Sequence, residues 1–281
     1  MRSIYDAARQ PPRLVRCAAA GPRLGNSNES DAMKIACSSV SFARALAEGK
    51  LTQLEWLDLC ANELEVDGAV FDTAQFPRQD DEYLAQLKKQ AADSGLTVAA
   101  VSSETALSGS GPACLEIASR LGAPLVAGKA PPASDDPAAW GHFCEALRAL
   151  AGSAKAANIT LGVRNAPGTL CASVADLRRL AKDVDSAWLR FAPEPAWFGA
   201  ADDAGELLAK SVIAFATIEQ LETFAIAGDR TAAGLVSALA RFRAFIVLDS
   251  TDLAAPRDAY HRALERFAAL RSTALETNSF N

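Results

Sequence analysis

From Met33 onward the sequence predicts a (β/α)8 TIM barrel, eight parallel strands each followed by a helix and closed on themselves. Three observations carry this. Short apolar runs of strand formers alternate eight times with longer, capped, amphipathic segments. The runs are apolar at successive positions, as strands buried on both faces must be. No GxGxxG follows the first run, which removes the main reason to prefer an open doubly wound sheet. Alternation over about 250 residues requires a parallel sheet, and eight repeats close most economically as a barrel.

The elements follow in order. Lys34 to Ser38 (KIACS) reads as the first strand, and Leu51 to Leu64 as a helix with Leu51, Leu54, Leu57 and Leu64 on one face. Gly68 to Asp72 (GAVFD) is the second strand. The helix from Asp80 to Ser94 is capped by Asp80 and closed by Gly95. Leu96 to Val101 is strand three, and its helix runs over Pro112 to Leu121. Pro124 to Ala127 is strand four, followed by a helix from Pro137 to Ala157 with Asp136 as its cap. Asn158 to Val163 is strand five. Ser173 then caps a helix to Asp183, with Asp176 as its box partner. Strands six, seven and eight fall at Ala187 to Phe191, Val212 to Ile218 and Phe245 to Asp249, with helices at Asp202 to Lys210, Thr231 to Phe242 and Pro256 to Arg271. The barrel domain is thus expected over residues 33–272, followed by a tail, 273–281.

Residues 1–32 differ in kind. Arg2, Arg9, Arg13, Arg16 and Arg23 stand among Pro11, Pro12 and Pro22 without hydrophobic periodicity. This segment is expected to be a disordered extension, or Met33 to be the native start. The apolar patch Leu14 to Ala20 is broken by Arg16 and too short for a signal-peptide core.

Charge narrows the partners. The 281 residues are half hydrophobic and 22% charged, with a formal net charge of -6 and a pI near 5.1. An acidic surface does not attract nucleic acid or an anionic membrane, and no apolar run reaches the roughly 20 residues needed to span a bilayer. A soluble, cytoplasmic protein with a small-molecule partner is expected, with room for a homo-oligomer. The six cysteines form no CxxC or metal-type spacing, and five of them lie in apolar periodic segments, which reads as buried free thiols in a reducing compartment.

In such a barrel the chemistry sits at the C-terminal ends of the strands. Ser38 and Ser39 stand there after strand one, Asp72 after two, Ser102, Ser103 and Glu104 after three, and Lys129 after four. Arg164 and Asn165 follow strand five, Arg190 or Glu194 strand six, Thr217 and Glu219 strand seven, and Asp249 strand eight. The stretch Asn158 to Ala166 (NITLGVRNA), an apolar strand ending on Arg164 and Asn165, is the sharpest of these signals.

The stretch KIACSSVSF, and then VFDTAQFPRQDDEYLAQLKKQAADSGLTVAAVS, resembles the sugar phosphate isomerase/epimerase family of xylose isomerase-like TIM barrels. The resemblance extends from Met33 to about Leu270 and rests on the register of many weak motifs. It implies a divalent metal, Mn2+ or Mg2+, held by carboxylates and a His at strands five to eight, and carboxylates that move a proton beside a sugar carbonyl.

Position by position, the carry-over departs from that pattern. LGVRNA stands where the family resembles Leu-x-x-Glu-Asn-His, so Arg164 replaces the first metal carboxylate and Ala166 the His. SAWLRFAPEPAW puts Glu194 at a ligand Asp and Trp197 at a His. In VIAFATIE, Ala216 replaces a His and Glu219 follows the Asp position. FIVLD puts Asp249 at a ligand Glu. The two histidines, His142 and His261, fall in outer helices, out of reach of the mouth.

No metal or other cofactor is therefore expected. Arg164 is expected to bridge Glu194 and Asp249. Glu194, Asp249 and Glu104 are the candidate catalytic acids or bases. Arg164, Asn165, Lys129, Arg190, Asp72 and Trp197 are the candidate contacts to a small carbohydrate or keto/hydroxy acid. A catalytically inactive ligand-binding or interaction protein on the same scaffold is the alternative. The loop Ser108 to Pro112 (SGSGP) is read as a flexible connection rather than an anion cradle, and the absence of a placed His excludes a Ser-His-Asp triad.

Overall fold

The computed structural model describes residues 34–197, 207–208, 210–219, 242, 244–250 and 255–265. The expectations for the N-terminal extension, for the tail and for most of the helices at 202–210 and 231–242 lie outside these residues. The strands are β1 (Lys34–Ser38), β2 (Gly68–Asp72), β3 (Thr97–Ser102), β4 (Leu125–Lys129), β5 (Thr160–Arg164), β6 (Leu189–Phe191), β7 (Ile213–Thr217) and β8 (Phe245–Asp249). The helices are α1 (Ala43–Ala47), α2 (Gln53–Asn62), α3 (Asp81–Asp93), α4 (Gly111–Leu121), α5 (Ala139–Ala157) and α6 (Val174–Val184), and among the described residues 256–265 are also helical.

All eight strands lie in one sheet in the order β6-β5-β4-β3-β2-β1-β8-β7, each pair parallel. The two edges meet at a parallel bridge between Phe191 and Ser211. Across this seam Val212 N–H donates to the Phe191 carbonyl at 3.2 Å and Phe215 N–H to the Pro193 carbonyl at 2.8 Å. The sheet thus closes, and its edges are paired rather than open. The expected (β/α)8 barrel is the fold.

Strand alternation sorts side chains into two cores. Ala36, Val70, Ala100, Leu125, Ala127, Ala192, Ile213, Phe215 and Val247 fill the barrel interior. Cys37, Phe71, Val101, Val126, Leu161, Val163 and Leu248 face outward and pack with Leu57, Leu84, Leu115, Leu147 and Leu177 of the helices. A bulge between Ala69 and Val70 pairs Val98 with Ala69 but Ala100 with Val70, which is why Ala99 also joins the interior. The interior is rich in Ala, and Gly162 has room for nothing more: a Cβ there would stand 2.9 Å from Ala192 Cβ.

Local chemistry corrects several boundaries. Asn158 belongs to the helix end, not to a strand: it takes the left-handed conformation (φ 56°) that terminates α5, so β5 starts at Thr160 and runs through Arg164. β4 likewise extends to Lys129. Asp136 does not cap α5. Its carboxylate accepts the Ala138 N–H one residue before the helix, and the cap position is Ala138. A 3-10 turn (Ser39–Phe42) and α1 precede α2, whose start is fixed by a Thr52–Glu55 capping box. The caps expected at Asp80 and Ser173 are as read: Asp80 accepts from Tyr83 N–H, and Ser173 and Asp176 cap α6 reciprocally.

The closing helix is pinned to the barrel by Tyr260. Its buried hydroxyl donates to the Leu248 carbonyl, accepts the Ser38 N–H at 3.2 Å and lies 3.2 Å from Ser41 Oγ. With the phenolic proton on Leu248, the Ser41 hydroxyl is the donor to Tyr260, and Ser41 Oγ in turn accepts Ser250 N–H at 2.8 Å. The ends of β1 and β8 are thereby tied on both sides of Asp249. Tyr260→Phe strands these buried groups and is expected to lower unfolding free energy by about 2 kcal/mol in urea melts.

Candidate functional site

The inward positions at the C-terminal ends of the strands bring Arg164, Glu194 and Asp249 together. Arg164 Nη2 donates to Glu194 Oε2 at 2.9 Å and lies 3.6 Å from Asp249 Oδ2, an ion-pair rather than a hydrogen-bond distance. The guanidinium carbon rests 3.9 Å from the centre of the Phe215 ring, one residue pair below Thr217 on β7. All three charged side chains are largely withdrawn from water, at 11%, 7% and 14% exposed. A guanidinium laid flat on an aromatic floor is confined to one plane, and its edge then meets the carboxylates.

Glu194 is held from several sides. Its Oε1 accepts the Thr217 hydroxyl at 3.1 Å, while Oε2 is on Arg164. The fully buried Asn165 grips its main chain: Asn165 Oδ1 accepts Glu194 N–H at 2.8 Å, and Nδ2 donates to the Glu194 carbonyl at 3.2 Å. β6 is only three residues long, so the chain leaves the sheet before Glu194, and this amide replaces the missing ladder.

Asp249 and Asp72 are the acids with shifted titration. Burial pushes the Asp249 carboxyl above its usual range, opposed by the Arg164 charge. Asp249 Oδ1 and Arg164 Nε have no hydrogen-bond partner among the described residues. Burial likewise raises Asp72. Its Oδ2 accepts the Ser102 hydroxyl at 2.9 Å and its Oδ1 caps the turn Thr73–Gln75 through Ala74 N–H.

Other expected residues are placed elsewhere. Glu104 is not an unpaired acid: it forms a 2.8 Å ion pair with Lys129 and is 71% exposed, at the rim. Arg190 is exposed on β6, two residues before Ala192, and its guanidinium donates to the Leu189 carbonyl. Asn165, with both ends of its amide engaged and no exposed surface, positions Glu194 and offers nothing to a ligand. Trp197 ends a 3-10 turn (Pro195–Trp197) and is 41% exposed, so it does not fill the mouth. Ala216 faces the outer core, not the mouth. Glu219 accepts the Ser250 hydroxyl at 2.7 Å. His142 and His261 are exposed on helices. Cys37, Cys60, Cys114, Cys144 and Cys171 are buried free thiols, as expected, while Cys17 lies outside the described residues. The sequence reading passed over Phe215 and Tyr260. Phe215 shares strand parity with Thr217, which was the available signal.

With this geometry in view, the chain matches the family of xylose isomerase-like TIM barrels over residues 60–233. It belongs to that family. Solved structures of the same fold include a xylose isomerase-like TIM barrel/4-hydroxyphenylpyruvate dioxygenase fusion protein (16% identity, TM-score 0.64), where the alignment covers 88% of this chain and 44% of the other. This barrel therefore spans less than half the length of that fusion. The probable 3-DHS dehydratase AsbF from Bacillus anthracis is matched over 83% of this chain and 98% of its own (14% identity, TM-score 0.65). D-psicose 3-epimerase from Clostridium cellulolyticum H10, solved with D-tagatose, is matched over 86% and 99% (15% identity, TM-score 0.65). At these identities the likeness is one of fold. No curated protein matches by sequence.

A divalent ion fits this donor set poorly. Arg164 holds a fixed positive charge between two of the carboxylates an ion would need, and repulsion at such range in a buried site is strong. Among the described residues no three His, Cys, Asp or Glu side chains come together as a metal site would require.

The raised titration of Asp249 has a thermodynamic consequence. A carboxyl with a folded-state pKa above its unfolded value binds protons more readily when folded, so its contribution to stability falls as pH rises from the ordinary carboxylate range through the raised value. Asp249→Asn removes that loss. Its melting temperature relative to wild type is expected to be more favourable near pH 7 than near pH 4. A gap that stays constant, or favours the variant more in acid, goes against the assignment.

Proposed function

We propose that the mouth of this barrel binds and acts on a small carbohydrate or keto/hydroxy acid without the family's divalent metal, with Arg164 neutralising Glu194 and Asp249 in the metal's place. One observation carries the reading: the Arg164 guanidinium lies 2.9 Å from Glu194 and 3.6 Å from Asp249 at the end of β5. A planar guanidinium supplies positive charge and directed donors to a polarised carbonyl, as a cation would, but cannot gather six oxygen ligands. The D-psicose epimerase of the same fold, solved with D-tagatose, supports the ligand class.

In this reading Asp249 is the proton-transfer group. As carboxylate it takes the proton from the carbon beside the ligand's carbonyl. The electron pair moves into the C–C bond and the carbonyl oxygen becomes the enolate oxygen, to which Arg164 Nε donates. Return of the proton to the same or the neighbouring carbon completes an epimerisation or isomerisation. A base with an elevated pKa is the stronger acceptor near neutral pH. Glu194, with both oxygens engaged, holds the guanidinium in place.

The second reading, a catalytically inactive ligand-binding or interaction protein, draws on the same pairing: Glu194 is occupied by Arg164 and Thr217, and Glu104 by Lys129. In the enzyme reading the partner is a small molecule, and the buried thiols suit a cytoplasmic setting.

The readings part in deuterium oxide with excess chelator, over a panel of keto-sugars, sugar phosphates and keto/hydroxy acids followed by NMR. The enzyme reading expects exchange at the carbon beside the carbonyl of at least one ligand, reduced about 100-fold or more in Asp249→Asn. Saturable binding without exchange leaves the second reading, and exchange that the chelator abolishes sinks the metal-free mechanism.

A further inference from the structure

Outside the mouth, a cavity of about 520 Å3 opens between the segment leading into α2 and the β2–α3 connection. Leu46, Leu51 and Leu54 form one wall, and Phe76, Pro77 and Tyr83 the other. Its volume lies within the range of small-molecule sites. None of its lining residues carries a charge, in a chain that is 22% charged. Of the ionised groups beside it in sequence, Glu48 pairs with Arg44 and Lys50, and Arg78 with Asp80.

One polar group in the lining is unsatisfied. Gln53, in the first turn of α2, is 2% exposed. Its Nε2 donates to the Gln75 carbonyl at 2.8 Å and so ties the two walls together, while its Oε1 is buried with no hydrogen-bond partner among the described residues. A buried amide oxygen without a donor is costly, and a side chain that lines a cavity can be relieved by an occupant. The Thr52 hydroxyl and Glu55 carboxylate beside it are already engaged in the α2 capping box and cannot serve.

We propose that this cavity is a binding site for a neutral aromatic small molecule carrying one O–H or N–H donor, which it gives to Gln53 Oε1. Each part of the chemistry excludes a class. Without a cation in the lining, a fatty acid or a phosphate has no counter-charge. Against walls made mostly of Leu46, Leu51, Leu54, Phe76 and Pro77, a sugar would leave most of its hydroxyls unpaired. The rings of Phe76 and Tyr83 favour a flat partner over an aliphatic one. Phe76 is braced from within by stacking on Phe71, with ring centres 5.6 Å apart, and the Arg78 guanidinium covers Tyr83 at 5.0 Å. The site does not rest on the reading of the mouth, since Arg164, Glu194 and Asp249 are not among its lining residues.

Indole and 1-methylindole test the assignment, since they share a ring system and differ in the donor. Each is titrated into the full chain and followed by amide shifts of residues 46–54 and 74–83 in NMR spectra. Indole is expected to shift these amides saturably and to bind about tenfold or more tightly than 1-methylindole. Gln53→Met should erase the difference, and Leu54→Trp, which narrows the cavity, should weaken both. Equal binding of the two probes by wild type overturns the role of Gln53, and shifts that fall elsewhere or do not saturate overturn the site. The wild-type comparison alone decides this should Gln53→Met not fold.

Discussion

Arg164 puts one fixed positive charge among carboxylates that would otherwise repel one another in a site largely closed to water, and the arrangement of the mouth follows from that. Glu194 lies in the chain just past β6 and Asp249 at the end of β8, and side by side without a counter-charge they could not both ionise. The guanidinium offsets them together, from a floor provided by Phe215. Its neighbours are then fixed in turn: Thr217 turns the Glu194 carboxylate, and Asn165 holds the Glu194 main chain where β6 has already ended. The Tyr260 hydroxyl does the same for the other wall, tying β1 to β8 on either side of Asp249.

The barrel itself is what makes one residue able to do this. A closed parallel sheet directs every second side chain inward, and five of the ten buried residues in the interior cluster are Ala. A long side chain from the end of β5 can then reach across to β6 and β8. The same parity turns Ala216 outward, so a position that a linear motif aligns with a metal ligand does not face the site. In the proposed metal-free reading, the guanidinium supplies the positive charge that an octahedral cation would otherwise bring.

The fold was legible in the sequence because the signals that specify it are local and repeated: apolar runs, caps at Asp80 and Ser173, and helix-ending glycines. The boundaries that moved did so for reasons that propensity does not carry. Asn158 looks like the first residue of a strand until its left-handed backbone makes it a helix terminus, and Asp136 looks like a cap until its carboxylate is spent one residue early. At the mouth, Arg164, Glu194 and Asp249 could be named from strand ends alone. Their neighbours could not. The Glu104–Lys129 pair depends on two adjacent strands finishing at the same height, and the clamp of Asn165 on Glu194 on a chain path that leaves the sheet early. Tyr260 sits on a helix whose amphipathic pattern marks it only as buried. The orphaned Gln53 oxygen has no sequence signature at all, since it arises from what the folded walls fail to provide.

Calorimetric titration of Mn2+ into metal-stripped protein tests the substitution of cation by guanidinium most directly, with Arg164→Glu run alongside as the variant that restores a carboxylate at the end of β5. Wild type is expected to show no binding at micromolar concentrations, and Arg164→Glu to bind more tightly than wild type. Micromolar binding of Mn2+ by the wild-type chain would contradict it.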